Sequence, residues 1–401
     1  MNVNPAVGER PSNQNHQKQL QKSPNNELNI MKYQNNTTLS NGGVKPNSMT
    51  PKPVPEDQLL DQALRPKTFD EYIGQNRIKE NLKVVIGAAK KRKEPIEHLL
   101  LHGPSGLGKT TLAYLIAKEL GASIKITSGT ALEKAGDVGS ILTGLNDGDV
   151  LFIDEVHRLN KMVEEVIYPA MENFKLDIVI GKGNSAKTLQ IDLPRFTLIA
   201  ATTKISLLSA PFRSRFGVSF RLDFYKDEDI EKIISRSADL LDIKIDKLAI
   251  KIVAASSRFT PRVANRLLKR VRDYSQMNPE RSLARIEDAS PKNLGEATSY
   301  GMKDVITTEL AKKALDMLEI DHKGLEETDR KILLAIAEKF DGGPVGLKSI
   351  AAAISEEEGT IEDVYEPYLM QMGFLSRTPK GRVITTGGRK HLGLPTKETL
   401  L

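Results

Sequence analysis

The feature that most constrains the fold is a glycine-rich segment set between a short apolar run and a helical pattern. Residues 103–110 read Gly-Pro-Ser-Gly-Leu-Gly-Lys-Thr and match the phosphate-binding pattern GxxxxGK[ST]. The apolar residues 98–102 predict a buried strand before this loop, and residues 109–120 predict a helix after it. Glycines let backbone N–H groups close around phosphates, and the positive end of the following helix favours them. We therefore predict a nucleoside triphosphate site, with ATP as the ligand.

Individual residues of this loop have predicted roles. We expect Lys109 to reach the β- and γ-phosphates and to act in catalysis, and we expect the Thr110 hydroxyl to be a ligand of Mg²⁺. The predicted nucleotide contacts in the segment are Gly106, Gly108, Lys109, Thr110 and Thr111.

Further short apolar runs, at residues 124–126, 150–153 and 196–201, predict more strands. The run at 150–153 is continuously apolar rather than alternating, which is typical of a parallel sheet covered on both faces. Helical patterns, such as residues 78–93, separate them. The sequence therefore predicts a doubly wound α/β domain with a parallel sheet.

Polar residues follow two of these runs. Asp154 and Glu155 come directly after residues 150–153, at the strand end where such sheets bind ligands. We expect Asp154 to hold Mg²⁺ and Glu155 to polarise the attacking water. Thr202 and Thr203 end the run 196–201. They could serve strand-end hydrogen bonding or sense the γ-phosphate, and Thr203 is the catalytic candidate.

Cationic side chains complete the predicted site. Arg213 and Arg215 lie between Phe212 and Phe216, and this anchoring suggests an arginine finger that neutralises charge in the transition state. Arg262, at the start of a later helical pattern, is the candidate second sensor of the phosphates. Arg258 is the less favoured alternative for that role.

The chain divides into five predicted segments. Residues 1–57 are rich in Asn and Gln and predict a disordered tail. Residues 58–225 form the α/β domain, and residues 226–306 a small domain that is all helical, with a polar insertion near 278–302. Residues 307–394 predict short helices and then a hairpin with a cationic Pro/Gly turn, which is the layout of a DNA-binding winged helix. Residues 395–401 are a second tail.

Composition narrows the class of protein. The chain has 58 Lys and Arg against 52 Asp and Glu, so its net charge of +6 permits a polyanionic partner without requiring one. It has no cysteine, which excludes disulfides and thiolate chemistry. With no apolar run of membrane length and no secretory signal, we expect a cytoplasmic protein.

Taken together, these motifs resemble the bacterial RuvB family of AAA+ ATPases from about residue 58 to 394. The most specific strings are Tyr-Pro-Ala-Met-Glu at 168–172 and Glu-Asp-Val-Tyr-Glu-Pro-Tyr at 362–368. The resemblance implies a homohexameric ring that hydrolyses ATP with Mg²⁺ and pumps duplex DNA at Holliday junctions. It also implies RuvA as the protein that holds the junction and RuvC as the one that cuts it.

The resemblance assigns further residues by position. It implies that Leu64 and Arg65 contact the adenine side and that Arg215 acts in the neighbouring subunit's site. It places Arg377 and Arg382 of the wing on DNA. The hairpin 176–193 would dock on RuvA through Leu189 and Ile191. The remaining implied nucleotide contacts are Glu172, Asn173, Phe174, Tyr225 and Arg262.

Three positions depart from the family pattern. Ser105 stands where Pro is usual, Phe259 replaces a Gly before Thr260, and Lys204 replaces an Arg after the paired threonines. Two other functions share parts of the motif set. A clamp-loader or helicase-loader ATPase would have the same phosphate-binding elements, and an ATP-regulated transcription factor would use the wing to read base sequence.

Overall fold

The computed structural model describes residues 63–180, 187–278 and 305–395. The predicted tail 1–57 lies outside the described residues. So do almost all of the predicted insertion 278–302 and, within the predicted tail 395–401, residues 396–401. In the described ranges, no helix is both long and apolar enough to cross a bilayer.

The first domain is α/β, as predicted. In chain order its elements are α1 (Asn76–Arg92), β1 (Leu99–His102), α2 (Lys109–Leu120), β2 (Ile124–Ser128), α3 (Ala135–Thr143), β3 (Val150–Asp154), α4 (Lys161–Asn173), β4 (Lys175–Ile180), β5 (Lys187–Asp192), β6 (Thr197–Thr202), α5 (Ala210–Arg213) and β7 (Val218–Arg221), with 3₁₀ turns at Gly129–Ala131, Val156–Arg158 and Ile205–Leu207. Five strands form a parallel sheet in the order β2-β3-β6-β1-β7. The strands β4 and β5 form a separate antiparallel hairpin.

Continuously apolar strands are required because both faces of the sheet are covered. In β1, Leu99 and Leu101 belong to the core on one face, which α1 and α2 cover, while Leu100 belongs to the core on the other face. Successive side chains of a strand point to opposite faces, so an alternating pattern would leave polar groups in one core. The order of the sheet places β1 inside it, between the central strand β6 and the edge strand β7, with the phosphate-binding loop at its carboxyl end.

The second domain consists of α6 (Asp227–Leu240), β8 (Lys244–Ile245), α7 (Lys247–Ala255), α8 (Pro261–Met277), β9 (Val305–Ile306) and α9 (Thr308–Met317). The expectation that no strand interrupts it was wrong, because β8 and β9 pair in parallel. The helix α9 also packs with the second domain, since Ala311 and Leu315 lie in its core. Residues 307 to about 321 therefore lie with this domain rather than with the wing.

The third domain has its own core and the predicted order of helices followed by a hairpin. Its elements are α10 (Glu327–Leu334) with a π-helical continuation (Ala335–Lys339), α11 (Leu347–Ile354), α12 (Glu358–Thr360), a π-helical segment (Ile361–Tyr365), α13 (Glu366–Gln371), β10 (Leu375–Thr378), β11 (Gly381–Ile384) and α14 (Thr386–His391). The strands β10 and β11 form the wing, and Arg377 lies directly opposite Arg382.

Contacts from both other domains reach the third domain. In the loop before α8, Arg258 Nη2 donates to Asp329 Oδ1 at 2.8 Å, and both side chains are buried. The next residue, Phe259, packs its ring 6.1 Å from that of Tyr368. On the α/β domain, Lys204 Nζ lies 2.7 Å from Asp363 Oδ2 at a half-exposed position.

Candidate active site

The phosphate-binding loop runs from β1 into α2 with a backbone that only glycine adopts easily. Gly106 and Gly108 have φ of 80° and 93°, in the left-handed region. A Cβ on Gly103 would overlap the carbonyl of Leu222, and one on Gly108 would lie 3.0 Å from the Tyr72 hydroxyl. The glycines thus allow close packing from both sides, as well as the turn itself.

Lys109 is buried beneath this loop. Its Nζ donates to the carbonyl oxygens of Gly103 and Pro104, at 2.8 Å each. Burial lowers the pKa of Lys109 to about 8, although the nearby carboxylates of Asp154 and Glu155 oppose the shift. The ammonium is therefore held in the loop, with backbone partners that phosphate oxygens could replace.

The hydroxyl of Thr110 and the carboxylate of Asp154 meet across the sheet end. Thr110 Oγ1 donates to Asp154 Oδ2 at 3.1 Å, and Asp154 Oδ1 accepts from the backbone N–H of Glu155 at 2.9 Å. Hard oxygen donors of this kind suit Mg²⁺, which in phosphate sites takes only one or two protein ligands. In the described ranges, no group of three or more His, Asp or Glu side chains is placed to hold a metal ion.

Glu155 begins a tight turn after β3 with φ of 50°. Its Oε2 lies 3.3 Å from His157 Nε2, and His157 Nδ1 lies 2.9 Å from Thr202 Oγ1. Thr202 is fully buried, and its hydroxyl also accepts from the backbone N–H of Lys204. Thr203, the catalytic candidate of the pair, is half-buried and is not among the residues that line the cleft.

A cleft next to the loop collects most of the predicted nucleotide contacts. The predicted residues that line it are Leu64, Arg65, Gly106, Gly108, Lys109, Thr110, Thr111, Asp154, Glu155, Tyr225 and Arg262. Arg65 lies over the ring of Tyr114, 5.1 Å from its centroid. The structure therefore brings together the loop, the acids, the pair predicted to contact adenine and the arginine predicted to be the second sensor.

Arg262 reaches the loop from the second domain. Thr260 caps α8 by accepting from Val263 N, and Pro261 occupies the first turn, where its missing N–H costs nothing. Arg262 Nη1 then donates to Ser105 Oγ at 3.0 Å. The departure at Ser105 thus supplies an acceptor that a proline could not. Phe259 adopts φ of 54°, a conformation that favours glycine, and leaves this approach intact.

Four predicted contacts lie outside the cleft, namely Glu172, Asn173, Phe174 and Arg215. Arg215 is held at the end of α4, where Nη2 pairs with Glu172 Oε1 at 3.1 Å and the guanidinium lies 4.2 Å from the Tyr168 ring centroid. Its Nε is buried without a partner in the described part of the chain. Within one chain, then, Arg215 does not touch the site.

The two wing arginines differ in exposure. The side chain of Arg377 is 54% exposed and lies 3.3 Å from Glu362 Oε1, whereas that of Arg382 is only 11% exposed. Arg382 Nη2 donates to the buried Glu366 at 3.0 Å. Arg377 is available to a ligand, but Arg382 is bound within the domain.

The hairpin residues Leu189 and Ile191 also differ. Leu189 is 49% exposed, whereas Ile191 packs on the core of the α/β domain beside Leu176. The structure therefore leaves Leu189, but not Ile191, as an open apolar side chain.

Sequence reasoning gave no role to three residues of the cleft region, Tyr72, Arg236 and His157. Tyr72 and Tyr225 both direct their hydroxyls to the carbonyl of Leu107, at 3.4 and 3.3 Å, and burial raises the pKa of Tyr225 to about 12. Arg236 of α6 donates to the Leu64 carbonyl at 2.9 Å and to Glu71 at 2.7 Å. His157 is the third. Of the three, His157 alone carried a local signal, because it lies two residues after the paired acids.

Comparisons with known proteins agree with this geometry. The profile described as the Holliday junction DNA helicase RuvB P-loop domain matches residues 64–222, that of the RuvB AAA lid domain 225–290, and that of the RuvB C-terminal winged helix domain 322–393. The structure of the Thermotoga maritima RuvB Holliday junction branch migration motor is 46% identical, covers 84% of this chain and 100% of its own, and superposes with a TM-score of 0.72. A mutant of that protein is 46% identical with a TM-score of 0.71, covering 83% of this chain and 99% of its own.

Proposed function

The chain belongs to the RuvB family of Holliday junction DNA helicases, and from this premise we propose that it is an ATP-driven motor that moves the branch point of a Holliday junction. The observation that carries the proposal is the 3.1 Å contact between Thr110 Oγ1 and Asp154 Oδ2. This contact brings the phosphate-binding loop next to the end of β3, where Asp154 lies. The same chain also has a winged helix, which is the candidate DNA-binding part.

The residues of the cleft have distinct roles in hydrolysis. Lys109 exchanges the carbonyls of Gly103 and Pro104 for phosphate oxygens, and Thr110 and Asp154 hold Mg²⁺. When bound, the metal neutralises phosphate charge. Glu155 orients the attacking water. Arg262 contacts the nucleotide from the second domain, so cleavage of ATP changes the position of this domain relative to the phosphate-binding loop.

The arginine finger acts between subunits. Arg215 lies outside its own cleft but has a buried Nε with no partner in the described ranges, which supports a role at a neighbour's nucleotide in a homohexameric ring. Glu172, Asn173 and Phe174 would share that interface. Mixing Arg215→Ala subunits with Glu155→Gln subunits should then restore part of the ATPase activity, because each variant supplies what the other lacks. No rescue at any mixing ratio would count against the role between subunits.

DNA binding is assigned to the wing. The exposed Arg377 would contact phosphates, which carry no sequence information, so binding should depend on salt and hardly on sequence. Arg382 supports this surface through Glu366. The half-exposed Leu189 would dock the β4–β5 hairpin on RuvA, and RuvC would act on the same junction.

The test is branch migration of a synthetic four-way junction by the purified chain with ATP, Mg²⁺ and RuvA. We expect strand exchange with the wild type and none with Lys109→Ala. An ATPase that loads clamps or helicases would hydrolyse ATP without moving the junction. A transcription factor would bind one duplex sequence and ignore the junction. Either result would refute the proposal.

A further inference from the structure

His157 lies between two polar groups at the edge of the site. Its Nε2 is 3.3 Å from Glu155 Oε2, and its Nδ1 is 2.9 Å from Thr202 Oγ1. The imidazole is only 7% exposed, whereas the side chain of Glu155 is 38% exposed. The nearly buried imidazole of His157 therefore contacts a carboxylate, that of Glu155, which is otherwise partly exposed to solvent.

The donors and acceptors along this row of groups have one consistent arrangement. The 3.3 Å contact between His157 Nε2 and Glu155 Oε2 is electrostatic, and it is favourable when Nε2 carries its hydrogen, because a carboxylate cannot donate one. Burial lowers the pKa of His157, which favours the neutral ring with a bare Nδ1. The Thr202 hydroxyl then donates to Nδ1 and accepts from the backbone N–H of Lys204 at 2.9 Å.

The contacts that join Glu155, His157, Thr202 and Lys204 continue into the DNA-binding domain. Lys204 Nζ pairs with Asp363 Oδ2 at 2.7 Å. The neighbouring Glu362 lies 3.3 Å from Arg377 of the wing. Polar contacts, joined through the chain neighbours Glu362 and Asp363, therefore lead from the exposed wing arginine to the carboxylate of Glu155.

We propose that His157 is a positioning residue that orients Glu155 for hydrolysis, and that the Lys204–Asp363 pair ties this orientation to the DNA-binding domain. The inference rests on the proposed function, because it assumes that Glu155 acts on the water. Glu155 has a flexible side chain on a left-handed backbone, with φ of 50°, and the His157 contact selects one of its conformations. A positioned base of this kind contributes roughly 100-fold or more to a rate, and misplacing it loses part of that.

The experiment measures kcat and KM for ATP, with and without duplex DNA, for the wild type, His157→Ala and His157→Gln. We expect His157→Ala to lower kcat about tenfold or more while KM changes less than about twofold, because the loop and its lysine are untouched. The glutamine amide can still donate to Glu155, so His157→Gln should recover part of kcat. A merely structural role would change KM and the melting temperature together and give no recovery.

The link to the DNA-binding domain is tested with Lys204→Ala, matched by Lys251→Ala at an exposed site on α7. We expect Lys204→Ala to change the effect of DNA on kcat and the control not to. The inference is overturned if His157→Ala keeps kcat within about twofold of the wild type, or if Lys204→Ala matches its control. A wild type that fails to hydrolyse ATP overturns the proposed function instead, and this inference with it.

Discussion

The pair of Arg258 and Asp329 allows a quantitative test of how the second and third domains are joined. The two side chains are 2.8 Å apart, and Asp329 is fully buried while Arg258 is 8% exposed. Replacing Arg258 with Met keeps much of the volume but leaves a buried carboxylate without its cation. Breaking a buried pair in this way costs about 3–5 kcal/mol. We expect a loss of that size in the stability of the helix that carries Asp329.

The effect should depend on pH with a defined sign. Burial raises the pKa of Asp329 to about 6 even with Arg258 present, and removing the guanidinium raises this pKa further. A raised carboxyl pKa adds stability at low pH, which is lost as pH rises through the folded-state pKa. The penalty of Arg258→Met should therefore be larger at about pH 8 than at about pH 5.

Native-state hydrogen exchange of α10 is the suitable assay, because a chain of several domains has no single free energy of unfolding. The double variant Arg258→Met/Asp329→Asn removes the stranded charge and keeps the cap at Glu326, so it should recover at least about 1 kcal/mol of the single variant's loss. The reasoning is refuted if the single variant costs under about 1 kcal/mol, or if its penalty is equal at both pH values.

Three further outcomes are expected. Because the pKa of Lys109 is about 8, only about a tenth of the nucleotide-free chains carry a proton on this side chain near pH 9. In binding titrations, ATP affinity should therefore fall about tenfold between roughly pH 7 and pH 9. The variant Lys109→Arg stays charged and should show no such fall. Arg377→Ala should reduce the slope of the logarithm of DNA affinity against the logarithm of salt concentration by about one. Arg382→Ala should instead lower the melting temperature of the third domain, because it leaves the buried Glu366 without its cation. Native-state hydrogen exchange of α2 should show that Gly103→Ala loses at least about 1 kcal/mol more stability than Gly121→Ala, because both positions have positive φ but only the first would overlap a neighbouring carbonyl. Equal losses would contradict the steric argument.

The sequence predicted the parts of the site that depend on local chain geometry. The loop at 103–110 and the acids Asp154 and Glu155 lie at strand ends, and parallel strands bring such ends to one edge of the sheet. A contiguous motif therefore specifies both the residues and their neighbours. The same holds for α8, whose start at Thr260 and Pro261 is set by capping chemistry.

Features that depend on distant partners could not be predicted in this way. The exposure of Arg377 and the burial of Arg382 differ because Glu366, on the helix α13 outside the hairpin, pairs with Arg382, and no pattern within the hairpin indicates this partner. The pairing of Lys244–Ile245 with Val305–Ile306 joins two-residue strands about 60 positions apart, too short for any periodicity. The folded chain is needed to show which wing arginine is exposed and which strands pair.

The loop before α8 has a consequence for interpreting variants of this protein. Arg258 and Arg262 are one helical turn apart in number, yet the first is anchored in the winged helix and the second in the phosphate-binding loop. We expect a substitution at residue 258 to displace the winged-helix domain, and a substitution at residue 262 to impair the response to bound nucleotide. The same substitution at these two nearby arginines would thus produce different defects.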